Sequence, residues 1–195
     1  MTVPLFPLRT VLFPGGPLPL RVFEARYLDM ISECLKAEQP FGVLLIREGS
    51  ETGSATTYDI GTLARIADWY HGSDGILGIT TIGEQRFRLL STSTSEDGLY
   101  VGEIERLQPD PVVALPERRR ALARILDGVL DDLGRLYEGI ARQYDDAGWV
   151  AYRFAEILPI SVEEKQRCLE TDDPLQRLEL VADVLNTVRN VYTRA

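Results

Sequence analysis

Residues 109–116 read Pro-Asp-Pro-Val-Val-Ala-Leu-Pro. Proline has a fixed φ and no N–H to donate, so three prolines in eight residues continue neither a helix nor an interior strand. The hydrophobic patterns on the two sides of this break differ in kind. The 195-residue chain therefore reads as a β-rich part with one helix over residues 1–112 and a helical part over residues 113–195. That length is enough to bury a core without metals or disulfides.

Before the break the apolar runs are short. Residues 11–13 and 18–23 flank Pro14-Gly15-Gly16-Pro17, and the prolines place this region at turns and sheet edges. Residues 41–47, FGVLLIR, form the continuous apolar run of a buried strand. Residues 49–57 are polar and read as a loop. Residues 61–70 alternate in part, and residues 76–82 and 86–91 read as two strands joined through Gly83. Glu96-Asp97-Gly98 signals a hairpin before a last strand over residues 99–107. Residues 24–37 are the exception. Tyr27, Met30, Ile31, Cys34 and Leu35 recur at helical intervals, so this segment is an amphipathic helix with Cys34 on its core face.

After the break everything reads as helix. Leu122, Leu126, Val129, Leu133, Leu136 and Ile140 are spaced four, three, four, three, four. That seam predicts one helix of roughly 25–30 residues, about 40 Å long. Gly128, Gly134 and Gly139 lie inside it, each costing about 1 kcal/mol against alanine. A helix over residues 148–158 stops at Pro159. Ser161-Val-Glu-Glu164 is a capping box, and its helix ends near residue 170. Asp173-Pro174 places a carboxylate at a cap and proline at the first helical position. Leu175, Leu178, Val181, Leu185, Val188 and Tyr192 then carry the last helix.

Charge and motifs exclude several function classes. The net charge is -9, with -6 over residues 1–115 and -3 over residues 116–195, so neither part is a generic binder of nucleic acid or anionic membrane. The Arg118-Arg119-Arg120 triplet reads as a solvated face. Cys34 and Cys168 form no CxxC pair, and His71 is the single histidine, so no metal and no cofactor site is expected. No P-loop, GxGxxG, HExxH or GxSxG is present. Lys36 and Lys165 read as solvent-facing, which leaves a Ser–Lys dyad without an activated lysine. The acidic pairs, such as Asp131-Asp132, sit on adjacent helical positions that point different ways. No enzymatic activity is expected. No apolar run is long enough to span a bilayer, and the N-terminus has neither the basic start nor the unbroken apolar stretch of a signal peptide. A cytoplasmic location is expected.

A family resemblance adds to this reading. Leu5-Phe-Pro-Leu-Arg-Thr-Val-Leu-Phe-Pro14 and Pro17-Leu-Pro-Leu-Arg-Val-Phe-Glu-Ala-Arg-Tyr-Leu-Asp-Met30 resemble the opening of the Lon protease N-terminal (substrate-binding) domain. Gly61-Thr-Leu-Ala-Arg-Ile66, Asp74-Gly75 to Gly83, Arg86-Phe-Arg88 and residues 100–107 resemble its later strands in order. Leu158-Pro159, Glu164-Lys-Gln166, Leu169-Glu170, Asp173 and Arg177-Leu178 resemble its helical tail. Ala25 stands where many relatives have proline. The resemblance implies an α+β fold, a PUA-like β pseudo-barrel followed by an α-helical bundle. It also implies a stand-alone member lacking the ATPase and peptidase modules, since their motifs are absent.

The expected function is a non-catalytic protein- or peptide-binding module, an adaptor or regulator in proteolysis. Its expected partners are unfolded or tagged protein segments and an ATP-dependent protease. Phe13, Phe23, Arg26, Tyr27, Arg88 and Trp149 are the candidate peptide contacts, because aromatics and arginines dominate binding energy. Trp69 and Tyr70 are further aromatics for a groove. The alternatives are RNA binding, as in other PUA-like barrels, and a small-ligand protein or enzyme with an unrecognised site.

Overall fold

The computed structural model describes residues 1–51, 53–72 and 76–192, the stretch 187–192 as backbone only. Asp74-Gly75 and the side chains of Val188 and Tyr192 lie outside the described residues. The chain divides into two compact units, Met1–Pro109 and Asp110–Ala195.

The first unit holds β1 (Thr2–Leu8), β2 (Pro17–Val22), α1 (Ala25–Ala37), β3 (Phe41–Gly49), β4 (Ala55–Thr57), β5 (Ile60–His71), β6 (Leu77–Thr94) and β7 (Tyr100–Arg106). The sheet runs β1-β7-β6-β5-β3, and β3 returns to pair with β1, closing a ring. β2 adds to β6 and β4 adds to β3. This closure is the pseudo-barrel.

β1 has no counterpart in the residue periodicity, because Pro4 and Pro7 interrupt it. The structure makes it an interior strand. It pairs antiparallel with β7 through Thr2–Leu5 and parallel with β3 through Leu5–Leu8. Pro4 thus lies where only β7 pairs and Pro7 where only β3 pairs, so each missing N–H falls where one side needs no ladder.

Strand alternation sorts two cores. Val3, Leu5, Leu44, Leu63, Phe87 and Ile104 fill the inside of the ring. Phe6, Leu8, Phe41, Val43, Ala64 and Ile79 face the other way and pack with Tyr27, Met30, Ile31 and Cys34 of α1. β3 is apolar from Phe41 to Ile46 because both its faces are buried over that stretch. Inside the ring, a Cβ on Gly42, Gly61 or Gly102 would come within 2.8 Å of a Leu5 or Phe87 side-chain carbon, so a narrow barrel needs no side chain there.

Four expectations for this unit change. The segment 49–57, read as a loop, ends in the short strand β4, which pairs with the end of β3. Residues 76–82 and 86–91 belong to one continuous strand, β6. Gly83 does not end it: its N–H donates to the Gly16 carbonyl and its carbonyl accepts from the Gly15 N–H. Residues 11–13 form no strand; Val11, Leu12 and Phe13 are buried, with the Leu12 carbonyl held by the Thr62 hydroxyl at 2.6 Å. Leu35 is exposed, so the core face of α1 ends at Cys34.

The second unit holds α2 (Arg120–Asp132), α3 (Ala147–Ile157), α4 (Val162–Glu170) and α5 (Pro174–Tyr192). The expected long helix ends at Asp132. Gly134 takes a left-handed φ of 56°, and a single 3-10 turn follows over Gly134–Leu136. Leu126 and Leu130 are buried, whereas Leu133 and Leu136 are exposed, so the seam loses its packing partner after Leu130. α3 is buried from Ala147 to Ala155, which is why it is apolar on nearly every side, with Arg153 its one buried charge. Asp146 caps it, accepting from the Gly148 N–H at 3.1 Å. The capping box of α4 is complete: Ser161 accepts from the Glu164 N–H and Glu164 accepts from the Ser161 N–H. Asp173 accepts from the Leu175 N–H at 2.8 Å at the start of α5. Arg177 is fully buried in this unit. It donates to the Cys168 and Thr171 carbonyls and the Asp110 carboxylate, and its guanidinium lies 3.8 Å from the Tyr152 ring centroid.

Candidate functional site

The first unit carries a groove of about 250 Å³. Phe6 and Leu8 of β1 line it, with Leu18, Leu20 and Val22 of β2, then Phe23, Glu24, Tyr27 and Glu51. The local chain explains how these side chains meet. Glu24 starts α1 with its backbone: its carbonyl accepts from the N–H groups of Tyr27 and Leu28. Its carboxylate caps nothing and pairs instead with Arg26 at 2.9 Å. Tyr27, in the first turn, is thereby turned inward, and its ring stacks on Phe6 at 4.0 Å. The Arg26 guanidinium lies 4.7 Å from the same ring and donates to the Gly98 and Glu51 carbonyls. The Tyr27 hydroxyl is buried and finds no hydrogen-bond partner among the described residues. Burial pushes it up to about 12, so it stays a neutral donor.

Of the residues expected to bind, Phe23 and Tyr27 line this groove and Arg26 lies against Tyr27. Phe23 is 62% exposed and forms the rim. Phe13 does not belong to a surface: it is fully buried. Arg88 is exposed in the half of β6 that pairs with β7, opposite Glu105 and away from the β2 ladder. Trp149 is buried in α3 of the second unit, edge-on to Tyr144 at 5.3 Å. Trp69 and Tyr70 are exposed on β5, Trp69 edge-on to His71 and Tyr70 with its ring over Gly78. Phe6, Leu20 and Glu51 went unread as site residues. The alternation of Leu18, Leu20 and Val22 was the available signal.

Other charged clusters are paired among themselves. Arg118 and Arg119 both pair with Glu179, and Arg120 pairs with Glu117, so two carboxylates offset most of the charge of the basic triplet. Cys34 is buried, and burial pushes its thiol up to about 11. Lys36 is exposed and paired with Glu33. Lys165, expected in solvent, is half-buried and donates to the Glu156 carbonyl at 2.7 Å; burial lowers its pKa. Glu156 accepts from Arg153 at 2.6 Å and from the Tyr137 hydroxyl at 3.1 Å, and burial pushes its carboxyl up to about 7. Among the described residues no group of three or more His, Cys, Asp or Glu side chains is placed to hold a metal. No helix there is long and apolar enough to cross a membrane.

Residues 2–187 match the ATP-dependent protease La (LON) substrate-binding domain. The chain belongs to this family. It is 29% identical to Lon protease of Anaeromyxobacter dehalogenans over 97% of its own length and 23% of that protein. It is 31% identical to protein cereblon of Danio rerio over 54% of its length and 26% of that protein. The chain thus spans about a quarter of the length of the curated relatives it matches, and the match covers only the substrate-binding portion of Lon. The Lon N-terminal domain protein from Xanthomonas campestris superposes with a TM-score of 0.78 at 37% identity, covering 94% of this chain and 98% of that one. The N-terminal domain of Mycobacterium avium complex Lon protease, at 18% identity and a TM-score of 0.64, shares the fold.

Proposed function

We propose that this protein is a non-catalytic recognition module. It binds unfolded or tagged segments of protein substrates and serves an ATP-dependent protease as adaptor or regulator. The match of residues 2–187 to a substrate-binding domain is the observation that carries this reading. The Phe6–Tyr27 groove supports it, since an exposed apolar rim beside a few polar anchors suits a flexible polypeptide. RNA binding draws no support from a net charge of -9 and a basic triplet spent on Glu179 and Glu117.

Calorimetric titration with a permanently unfolded protein such as reduced casein tests it, with a folded protein of similar charge as control. The expected result is saturable binding of the unfolded protein in the micromolar range, about -8 kcal/mol, and none of the control. No heat of binding with the unfolded protein overturns the proposal.

A further inference from the structure

The groove carries more information than its apolar lining. Its volume, about 250 Å³, lies below the range of about 300–1,000 Å³ usual for small-molecule sites. It suits one large side chain. Beside it, β2 pairs only with β6 among the described residues, which leaves its other edge open. That edge does not invite a full ladder. The Leu18 carbonyl is turned toward β6, where the Thr81 hydroxyl donates to it at 3.0 Å. Alternation then turns Pro17 and Pro19 outward, and neither has an N–H to offer. An incoming chain must be held by side chains and isolated hydrogen bonds.

Two polar groups are available for that. The Tyr27 hydroxyl is buried without a partner, an expensive arrangement that an acceptor on a ligand would relieve. Glu51 lines the groove, accepts from the Arg9 backbone N–H at 2.7 Å, and has no ion-pair partner among the described residues. The nearby cations are committed elsewhere: Arg26 to Glu24 and to the Gly98 and Glu51 carbonyls, and the Arg9 guanidinium to the Gly49 carbonyl. Glu24 is paired with Arg26 and Arg21 also lines the groove, so Glu51 is the lining carboxylate without an ion pair among the described residues and the group that would meet a cation.

Resting on the recognition reading above, we infer that the groove selects basic–apolar segments of unfolded polypeptide. One large apolar side chain enters between Phe6, Leu20 and Phe23. A backbone carbonyl beside it accepts from the Tyr27 hydroxyl, and a neighbouring Lys or Arg pairs with Glu51.

Fluorescence polarisation with short labelled peptides, each with one Phe flanked by Lys, by Ser or by Glu, tests this on the whole protein. The Lys-flanked peptide is expected to bind about tenfold tighter than the Glu-flanked one. Glu51→Gln closes that gap and leaves the Ser-flanked peptide unchanged. Tyr27→Phe keeps the stacked ring, weakens all three peptides about tenfold, and raises Tm because the orphaned hydroxyl is gone. Equal binding of the Lys- and Glu-flanked peptides overturns the inference, and so does a Tyr27→Phe variant that loses Tm while binding normally. If unfolded casein binds but the peptides show no preference, only this inference fails. If neither casein nor any peptide binds, the recognition reading fails with it.

Discussion

Arg177 sits with no exposed surface and with all its donating nitrogens engaged, by Asp110 and by two carbonyls from the end of α4. A guanidinium cannot shed its proton at neutral pH, so the pocket must keep these partners. Arg177→Ala strips the counter-charge from Asp110 and frees two carbonyls. Urea denaturation is expected to register a loss of about 3–5 kcal/mol. Arg177→Lys is expected to recover little, since an ammonium cannot serve the same fork of acceptors. Single residues were the hardest scale to read. Nothing local in Leu175-Gln-Arg-Leu178 marks an arginine as buried; only the family pattern singled it out. Phe13 shows the opposite case. Its aromatic ring suggests a binding contact, but the side chain is fully buried, and its carbonyl sits against Gly83, distant in sequence, where a Cβ would not fit.

Elements were most readable where the chemistry is local. The capping box of α4 and the Asp173-Pro174 start of α5 lie within four residues of the groups they satisfy, and both stand as expected. Ser161→Ala is expected to cost about 1 kcal/mol, seen as a lower urea midpoint with an unchanged slope. The long helix misled because its seam continues in sequence after the packing ends. Only the left-handed Gly134 marks the stop, and a glycine in a helical pattern does not announce its φ. The segment after it is tied down by Tyr137, whose hydroxyl donates to Glu156 on α3. With the Glu156 carboxyl pushed up to about 7, the folded state holds its proton more tightly than the unfolded chain does. The contribution is present at low pH and is lost as pH rises from about 4.5 through 7, by about 3 kcal/mol. Urea stability measured across that window should fall more steeply in the native protein than in Glu156→Gln. Identical slopes would remove Glu156 from the account.

At the scale of the molecule, the β-then-α order was readable from the proline break, but the closure of the ring was not. It depends on β1 pairing with β3 in parallel, a long-range contact made by a strand whose prolines hide its periodicity. The resemblance supplied what the pattern could not. The groove depends on the same closure, because Phe6 reaches Tyr27 only when β1 is held between β3 and β7. Net charge belongs to this scale as well. At -9, the protein is expected to retain no RNA in filter binding even at low salt; retention that falls steeply with added salt would reopen the RNA reading. The central claim is that a substrate-binding-family chain recognises unfolded segments through the first unit. Amide chemical shifts of the isotope-labelled protein, followed while a Lys-flanked Phe peptide is added, test it most directly. Saturable shifts concentrated at Leu20, Phe23, Tyr27 and Glu51 are the predicted result. No shifts, or shifts confined to the second unit around Arg118 and Arg119, would contradict it.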